Sequence, residues 1–227
     1  MVNFILMRSL IQEGRYMALK EVVLEWRQLS AFSGILLYLI STVFVCYLSF
    51  ERVITVNTWN SLFWIILLFA SLNAVLKSFI QERQGRLLYL YTISSAEAVI
   101  SAKMIYNAVL MGLLSIIGLA IFIAFMGNPI ANMGLFLLNM LLGVAGFSSV
   151  MSMVSALASK ATNNFTLMGV LSFPLVLPLL LVLMRVSSAA ISGSSISDQA
   201  GNILVLLLIT GITFVLSNVL FPYIWRE

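Results

Sequence analysis

The pattern of apolar and charged positions divides the chain into long segments that carry no charge. These uncharged stretches cover residues 28–50, 53–76, 104–159, 161–184 and 199–225. As a helix, about 20 consecutive apolar residues cross a hydrocarbon layer roughly 30 Å thick. Four of the stretches therefore predict one transmembrane helix each, whereas the stretch 104–159 is long enough for two.

A turn signal divides the longest stretch near its middle. Gly127, Asn128 and Pro129 follow one another there, and such residues favour a turn over a continuous helix. The sequence thus predicts an all-α integral membrane protein with six transmembrane helices in a domain over 31–223. The predicted helices lie at about 31–50, 58–80, 104–126, 133–158, 165–185 and 203–223.

Composition supports this class of protein. Of the 227 residues, 62% are hydrophobic and 9% are charged, whereas globular domains carry roughly 25% charged residues. The mean hydropathy of +1.10 agrees. The lone cysteine, Cys46, allows no intrachain disulfide, and we interpret it as a small buried apolar residue rather than a redox or metal site.

The basic residues predict how the spans are oriented. Lys and Arg are enriched in cytoplasmic loops. With the N-terminus inside, only Arg52 and Arg185 of the 12 Lys and Arg residues fall on the outer side, each at a helix end from which a long side chain reaches the headgroups. We therefore expect both termini, including the tail 224–227, in the cytoplasm.

Residues 1–30 form a cytoplasmic N-terminal segment in this prediction. Acidic Glu13, Glu21 and Glu25 interrupt it, so we expect no cleaved signal peptide. From Tyr16 to Leu29 the apolar residues follow helical spacing, which predicts an amphipathic interfacial helix. Such a helix serves either as a membrane-surface anchor or as an elbow that helps to seat a cytoplasmic partner.

The longest predicted cytoplasmic loop, residues 81–103, combines charges with an apolar run. A loop that only connected two transmembrane helices would need neither the charges nor the apolar run. The residues concerned are Glu82, Arg83, Arg86, Leu87, Leu90 and Tyr91. They predict a compact helix that docks into a groove of another protein, with a helix lying on lipid headgroups as the alternative.

The end of this loop predicts the start of a helix. Ser94 or Ser95 can cap a helix that begins near Ala96. Glu97 then lies in its first turn, where an acidic side chain is favourable. We expect this helix to continue through Lys103 into the third span.

Prolines and small residues distinguish the later spans. Pro174 and Pro178 share one face of the fifth span, and each predicts a kink, either a static bend or part of a moving, cavity-lining element. Small residues in the fourth span predict close approach of a neighbouring helix. These are Gly143, Ala145, Gly146, Ser148, Ser149, Ser152 and Ser155. The outer segment 187–202, which contains Asp198, is expected as a short helix or a loose loop.

Several chemistries are missing from the sequence. The chain has no histidine, which excludes a histidine-containing catalytic triad and histidine ligation of a metal or haem. No span contains paired carboxylates, and no GxxxxGK[ST] phosphate-binding loop occurs. We read the twelve methionines as packing residues. The pattern is that of the membrane half of a transporter driven by a separate ATPase, with two such subunits, or one such subunit and a related one, enclosing the pathway as a homodimer or a multi-subunit complex.

Five stretches of the sequence carry a resemblance to a known family. They are residues 95–107, 127–129, 157–161, 171–178 and 221–226. Together they resemble the CcmB family, the haem exporter B permeases of cytochrome c maturation, and in particular its Bacteroidetes-type members. The resemblance runs from about residue 15 to the end and implies the architecture of type-2 ABC exporter permeases, with the loop 81–103 as the ATPase-coupling loop.

The resemblance also implies partners and a location. It implies a bacterial inner-membrane complex with the ATPase CcmA and the haem-handling membrane protein CcmC, linked to the haem chaperone CcmE. This subunit would then be no enzyme and would bind no cofactor directly, since ATP is bound by the ATPase and haem is handled by the complex. Two alternatives stay open: a type-2 exporter permease for another substrate, and a non-transporting assembly subunit.

Overall fold

The structure, a computed structural model, describes residues 29–50, 55–80, 96–158 and 164–226. This part of the chain is all-helical, as predicted. Its helices are α1 (Leu29–Ser49), α2 (Val56–Ile80), α3 (Ala96–Met126), α4 (Met133–Ala158), α5 (Asn164–Ile191) and α6 (Ala200–Arg226).

Five of the six predicted spans are confirmed as helices with the length and composition to cross a membrane. Within the described residues, the qualifying stretches are Val56–Val75, Val99–Met126, Met133–Ser155, Val170–Ile191 and Ala200–Leu220. In α1, the apolar stretch searched, Ser33–Ser49, is shorter than the others. The chain is therefore a multi-pass membrane protein.

The predicted turn between the third and fourth spans is present. Gly127 ends α3 with φ 79°, a left-handed conformation that glycine adopts without steric cost. Asn132 then caps α4, because its Oδ1 accepts a 3.1 Å hydrogen bond from the N–H of Leu135. The same residue also contacts the turn that follows α5, since Asn132 Nδ2 donates to the carbonyl of Ser194 at 2.9 Å.

The segment 187–202 differs from the prediction. Helix α5 continues to Ile191, so Ser187 lies inside a helix and not in an outer loop. The turn that follows is short: Gly193 has φ 85°, and the N–H of Ser195 donates to Asp198 Oδ2 at 3.1 Å. The connection to α6 is therefore a hydrogen-bonded turn.

Helix α4 lies at the centre of the bundle. It contacts α2, α3, α5 and α6, whereas α1 packs mainly against α2 and α3. Helix α6 is the least enclosed of the five candidate spans. Its many exposed apolar side chains are what a hydrocarbon solvent requires, since lipid tails are as apolar as these side chains.

An aromatic cluster fills the core where α2, α3 and α4 meet. The Trp59 ring centroid lies 5.0 Å from that of Phe122 and 6.0 Å from that of Phe136, both in edge-to-face geometry. Phe63 stacks on Trp59 at 5.6 Å. Trp59 Nε1 also donates to the carbonyl of Gly127 at 3.2 Å. We call this end of the bundle the Gly127 end and the opposite one the Lys103 end.

Candidate functional site

Two groups of buried polar side chains interrupt the apolar interior. The first joins α2, α4 and α5 and is called the Asn60 cluster: Asn60, Trp64, Asn139 and Ser187. All four side chains are buried. Because a polar group inside a membrane protein is costly unless it is hydrogen-bonded, such clusters are candidates for function.

Helix α2 holds α5 through the hydroxyl of Ser187. Trp64 Nε1 donates to Ser187 Oγ at 2.8 Å. The hydroxyl lies 2.6 Å from Asn60 Oδ1, 2.8 Å from the carbonyl of Leu183 and 3.2 Å from that of Met184, so its single proton has three acceptors within reach. These bonds fix the C-terminal half of α5 against α2.

Two asparagines bind backbone carbonyls of α5. Asn60 Nδ2 donates to the carbonyl of Met184 at 2.8 Å, and Asn139 Nδ2 donates to that of Leu183 at 2.9 Å. The two amides come from different helices and hold adjacent peptide units of α5. The contact is specific to this part of α5, because a shift of one residue would break both bonds.

Glycines in α4 allow the close approach that this cluster requires. A Cβ at Gly143 would lie 2.9 Å from the Trp64 ring and 3.1 Å from Leu183 Cδ1. At Gly146 it would lie 2.7 Å from a methyl group of Leu179. The prediction that α4 packs closely against its neighbours is therefore confirmed.

The second group, called the Asn107 cluster, joins α3 and α4 nearer the Lys103 end. Asn107 Nδ2 donates to Ser152 Oγ at 2.8 Å, and Ser148 Oγ donates to the carbonyl of Met104 at 2.6 Å. Lys103 lies one turn before Asn107 on the same face of α3 and is only 2% exposed. A buried lysine thus lies beside a buried polar contact.

Two amide oxygens in these clusters have no hydrogen-bond partner among the described residues. They are Oδ1 of Asn107 and Oδ1 of Asn139. Both side chains are fully buried, so each oxygen is a buried acceptor without a donor among the described residues. A buried unsatisfied acceptor costs roughly 1–3 kcal/mol.

A small cavity lies between α2, α3 and α4. Its volume is about 10 Å³, and Trp64, Ser71, Ser115 and Met140 are among the residues that line it. This is space for roughly one water molecule. Small-molecule sites usually enclose about 300–1,000 Å³, so this cavity cannot hold a haem.

Only some of the predicted site residues lie in the part of the chain that the structure describes. Glu82, Arg83, Arg86, Leu87, Leu90 and Tyr91 lie outside the described residues, as does most of the predicted loop 81–103. Glu97 lies in the first turn of the described α3, which begins at Ala96. Pro174 and Pro178 lie inside α5, with exposed side chains; the predicted kink stays a prediction.

Sequence reasoning missed both polar clusters. Asparagine in an apolar span was the available signal, because such residues almost always face the interior of a bundle. The partners Leu183 and Met184 could not be found this way, since they contribute backbone carbonyls. Within the described residues, no group of three or more His, Cys, Asp or Glu side chains could hold a metal ion.

Comparison with known protein families gives a match over most of the chain. The family model described as CcmB protein matches residues 15–224. That range contains α1 to α5 and almost all of α6. No curated protein matches the chain.

Proposed function

The chain belongs to the CcmB family, and from this premise we propose that it is the permease subunit of an ABC transporter complex that acts in cytochrome c maturation. The match over most of the chain carries the proposal. The multi-pass helical bundle supports it, because a permease subunit supplies membrane helices and leaves ATP hydrolysis to a separate subunit.

In this proposal a CcmA-like ATPase binds the coupling loop 81–103. Helix α3 supports the idea of mechanical coupling, because it runs without a break from Ala96 to Met126. At 1.5 Å per residue, its 31 residues span about 46 Å. A displacement of the residues just before Ala96 would therefore be transmitted along one rigid helix to the Gly127 end.

Helix α5 is the proposed moving element. The Asn60 cluster holds its C-terminal half through Leu183, Met184 and Ser187. Pro174 and Pro178 precede these residues, near the middle of the helix, and remove two of its backbone hydrogen bonds. The physical expectation is that α5 bends at the prolines while its C-terminal half stays in place.

The complex, rather than this chain alone, is proposed to handle haem. A CcmC-like membrane protein would hold haem, and ATP hydrolysis would drive either haem export or release of a haem-loaded CcmE-like chaperone. The Gly127 end would face the outside, and both termini would be cytoplasmic in a bacterial inner membrane.

Complementation tests this function. A strain that lacks the chain is expected to lose covalently haem-stained c-type cytochromes and to regain them with the intact chain, but not when the ATPase partner cannot hydrolyse ATP. Unchanged cytochromes in the deletion strain would contradict the proposal and favour an exporter for another substrate. Normal maturation with the inactive ATPase would favour a non-transporting assembly subunit.

A further inference from the structure

One face of α5 is exposed and combines two polar features that lipid tails cannot satisfy. Pro174, Pro178, Leu181 and Arg185 follow the spacing i, i+4, i+7 and i+11, which places them on the same side of the helix. All four are exposed. We call this surface the Pro174–Arg185 face.

The first feature is a pair of backbone acceptors without helical donors. Because proline has no N–H, the carbonyls of Val170 and Pro174 lack their usual partners four residues later. No side chain of the described residues donates to either carbonyl. Val170 is 66% exposed and Phe173 59%, so both carbonyls open onto an uncovered surface.

The depth of Pro174 removes bulk water as a donor to its carbonyl. Helix α5 has 28 residues and is therefore about 42 Å long. Pro174 lies ten residues, about 15 Å, from Asn164. A hydrocarbon layer of about 30 Å placed anywhere along this helix includes Pro174, and lipid tails offer its carbonyl no donor.

The second feature is the charge of Arg185. The candidate spans contain two charged residues, Lys103 and Arg185; Lys103 is buried inside the bundle, whereas Arg185 is exposed. Arg185 lies six residues, about 9 Å, before the end of α5 at Ile191. Its long side chain can reach toward the headgroups from this depth, but a carboxylate of a neighbouring helix at the same depth can accept two parallel hydrogen bonds from the guanidinium.

A second copy of the chain does not fit this face. A two-fold axis along the membrane normal keeps every residue at its own depth, so an interface centred on this face would place Arg185 opposite Arg185. No Asp or Glu occurs in any of the candidate spans. Charge complementarity therefore points to a different protein.

We propose that the Pro174–Arg185 face docks a transmembrane helix of a different membrane protein, which carries an acidic side chain at the depth of Arg185. A hydroxyl or amide of the same helix donates to the carbonyl of Pro174. This inference rests on the proposed function only because that function requires an assembly with another membrane protein.

Photocrosslinking in native membranes tests the contact. The photoreactive residue p-benzoylphenylalanine replaces Leu181 on this face, or Leu208 on α6 as the matched control; each leucine is 55% exposed. We expect an adduct from position 181 whose crosslinked peptide lies in an apolar span containing Asp or Glu, and no such adduct from position 208. Mass spectrometry of the adduct identifies the peptide.

Charge variants decide whether Arg185 carries the contact. Arg185→Gln should lower the yield of the adduct about tenfold, which corresponds to about 1.4 kcal/mol, and Arg185→Lys should lower it less. Arg185→Glu combined with Arg in place of the partner's acidic residue should restore it. Equal chain levels in the membrane and an unchanged yield of lipid adducts at position 208 show that the variants fold.

Each other outcome overturns the proposal. These outcomes are an adduct with a second copy, lipid adducts alone at position 181, a partner peptide without an acidic residue, and a yield that Arg185→Gln leaves unchanged. Cytochrome maturation is measured in the same strains. A charge-dependent adduct in cells whose cytochromes do not need this chain would keep the docking face and remove the proposed function.

Discussion

The indole of Trp64 and the hydroxyl of Ser187 are joined by a 2.8 Å hydrogen bond between residues 123 positions apart in the chain. Trp64 lies on α2 and Ser187 on α5, and the same hydroxyl lies 2.6 Å from Asn60 Oδ1. One serine therefore accepts a hydrogen bond from one side chain of α2 and has an acceptor on another within reach. The hydrogen bond between Trp64 and Ser187 fixes the position of α5 relative to α2.

Ser187→Ala should destabilise the bundle. The substitution leaves the N–H of Trp64 and Oδ1 of Asn60 without partners in a site that is fully buried. Unsatisfied buried groups cost roughly 1–3 kcal/mol. The measurement is the free energy of unfolding in mixed micelles, with Ser192→Ala as the control, because the Ser192 side chain is exposed and bonds only within its own turn. Equal stability of the two variants would show that the Asn60 cluster does not hold α5.

Gly143→Ala should also be destabilising, but for a steric reason. The added Cβ would lie 2.9 Å from the rigid Trp64 ring, and overpacking of this kind costs roughly 1–3 kcal/mol. The same substitution at Gly112 meets only Val144, at 3.9 Å, and should be neutral or slightly stabilising because alanine favours helix. Thermal unfolding of both variants checks the difference, and a Gly143→Ala variant as stable as Gly112→Ala would contradict it.

The sequence predicted the helices better than the site for a physical reason. Uncharged runs show which segments lie in lipid, and the turn at Gly127 was readable from glycine and proline. The end of α5 could not be predicted in the same way. Arg185 marks the predicted end of the transmembrane helix, but its long side chain lets the helix continue to Ile191. The Asn60 cluster depends on which helices meet, and one sequence does not contain that information.

Asp198 should make the turn before α6 sensitive to acid. Hydrogen bonds from the side chain and backbone of Ser195 lower the pKa of the Asp198 carboxyl. A carboxyl whose pKa is lowered by folding stabilises the folded state fully above its unfolded value of about 3.9 and loses this contribution as pH falls through the folded pKa. Protection of the Ser195 amide against hydrogen exchange should therefore be constant above pH about 4 and fall below it.

Asp198→Asn is the matched control for this effect. The amide keeps an acceptor oxygen near the N–H of Ser195 but does not titrate, so the dependence on pH should disappear. Protection that falls equally in both proteins would assign the acid sensitivity to another group.

Single cysteines should report opposite sides of the membrane. Ser195 is exposed in the turn at the Gly127 end, and Ser94 lies in the predicted coupling loop. In a Cys46→Ser background, a membrane-impermeant maleimide should label Ser195→Cys in intact cells and Ser94→Cys only in inside-out vesicles. Labelling of both from one side would contradict the orientation predicted from the basic residues.

The coupling loop should carry the contact with the ATPase. Replacing Leu87, Leu90 and Tyr91 together by Asp puts three charges into the apolar run, and loss of a buried anchor weakens an interface by about 2 kcal/mol or more. Copurification of the ATPase should therefore fall about thirtyfold, since each 1.4 kcal/mol is about tenfold in affinity.

Ile196→Asp is the matched control for this last prediction, because Ile196 is 47% exposed in the turn at the Gly127 end, which the proposal places on the other side of the membrane. It should copurify with as much ATPase as the unmodified chain does. If the triple variant also keeps its ATPase, the loop is not the contact. If only Ile196→Asp loses it, the ATPase binds the Gly127 end and the proposed orientation is reversed.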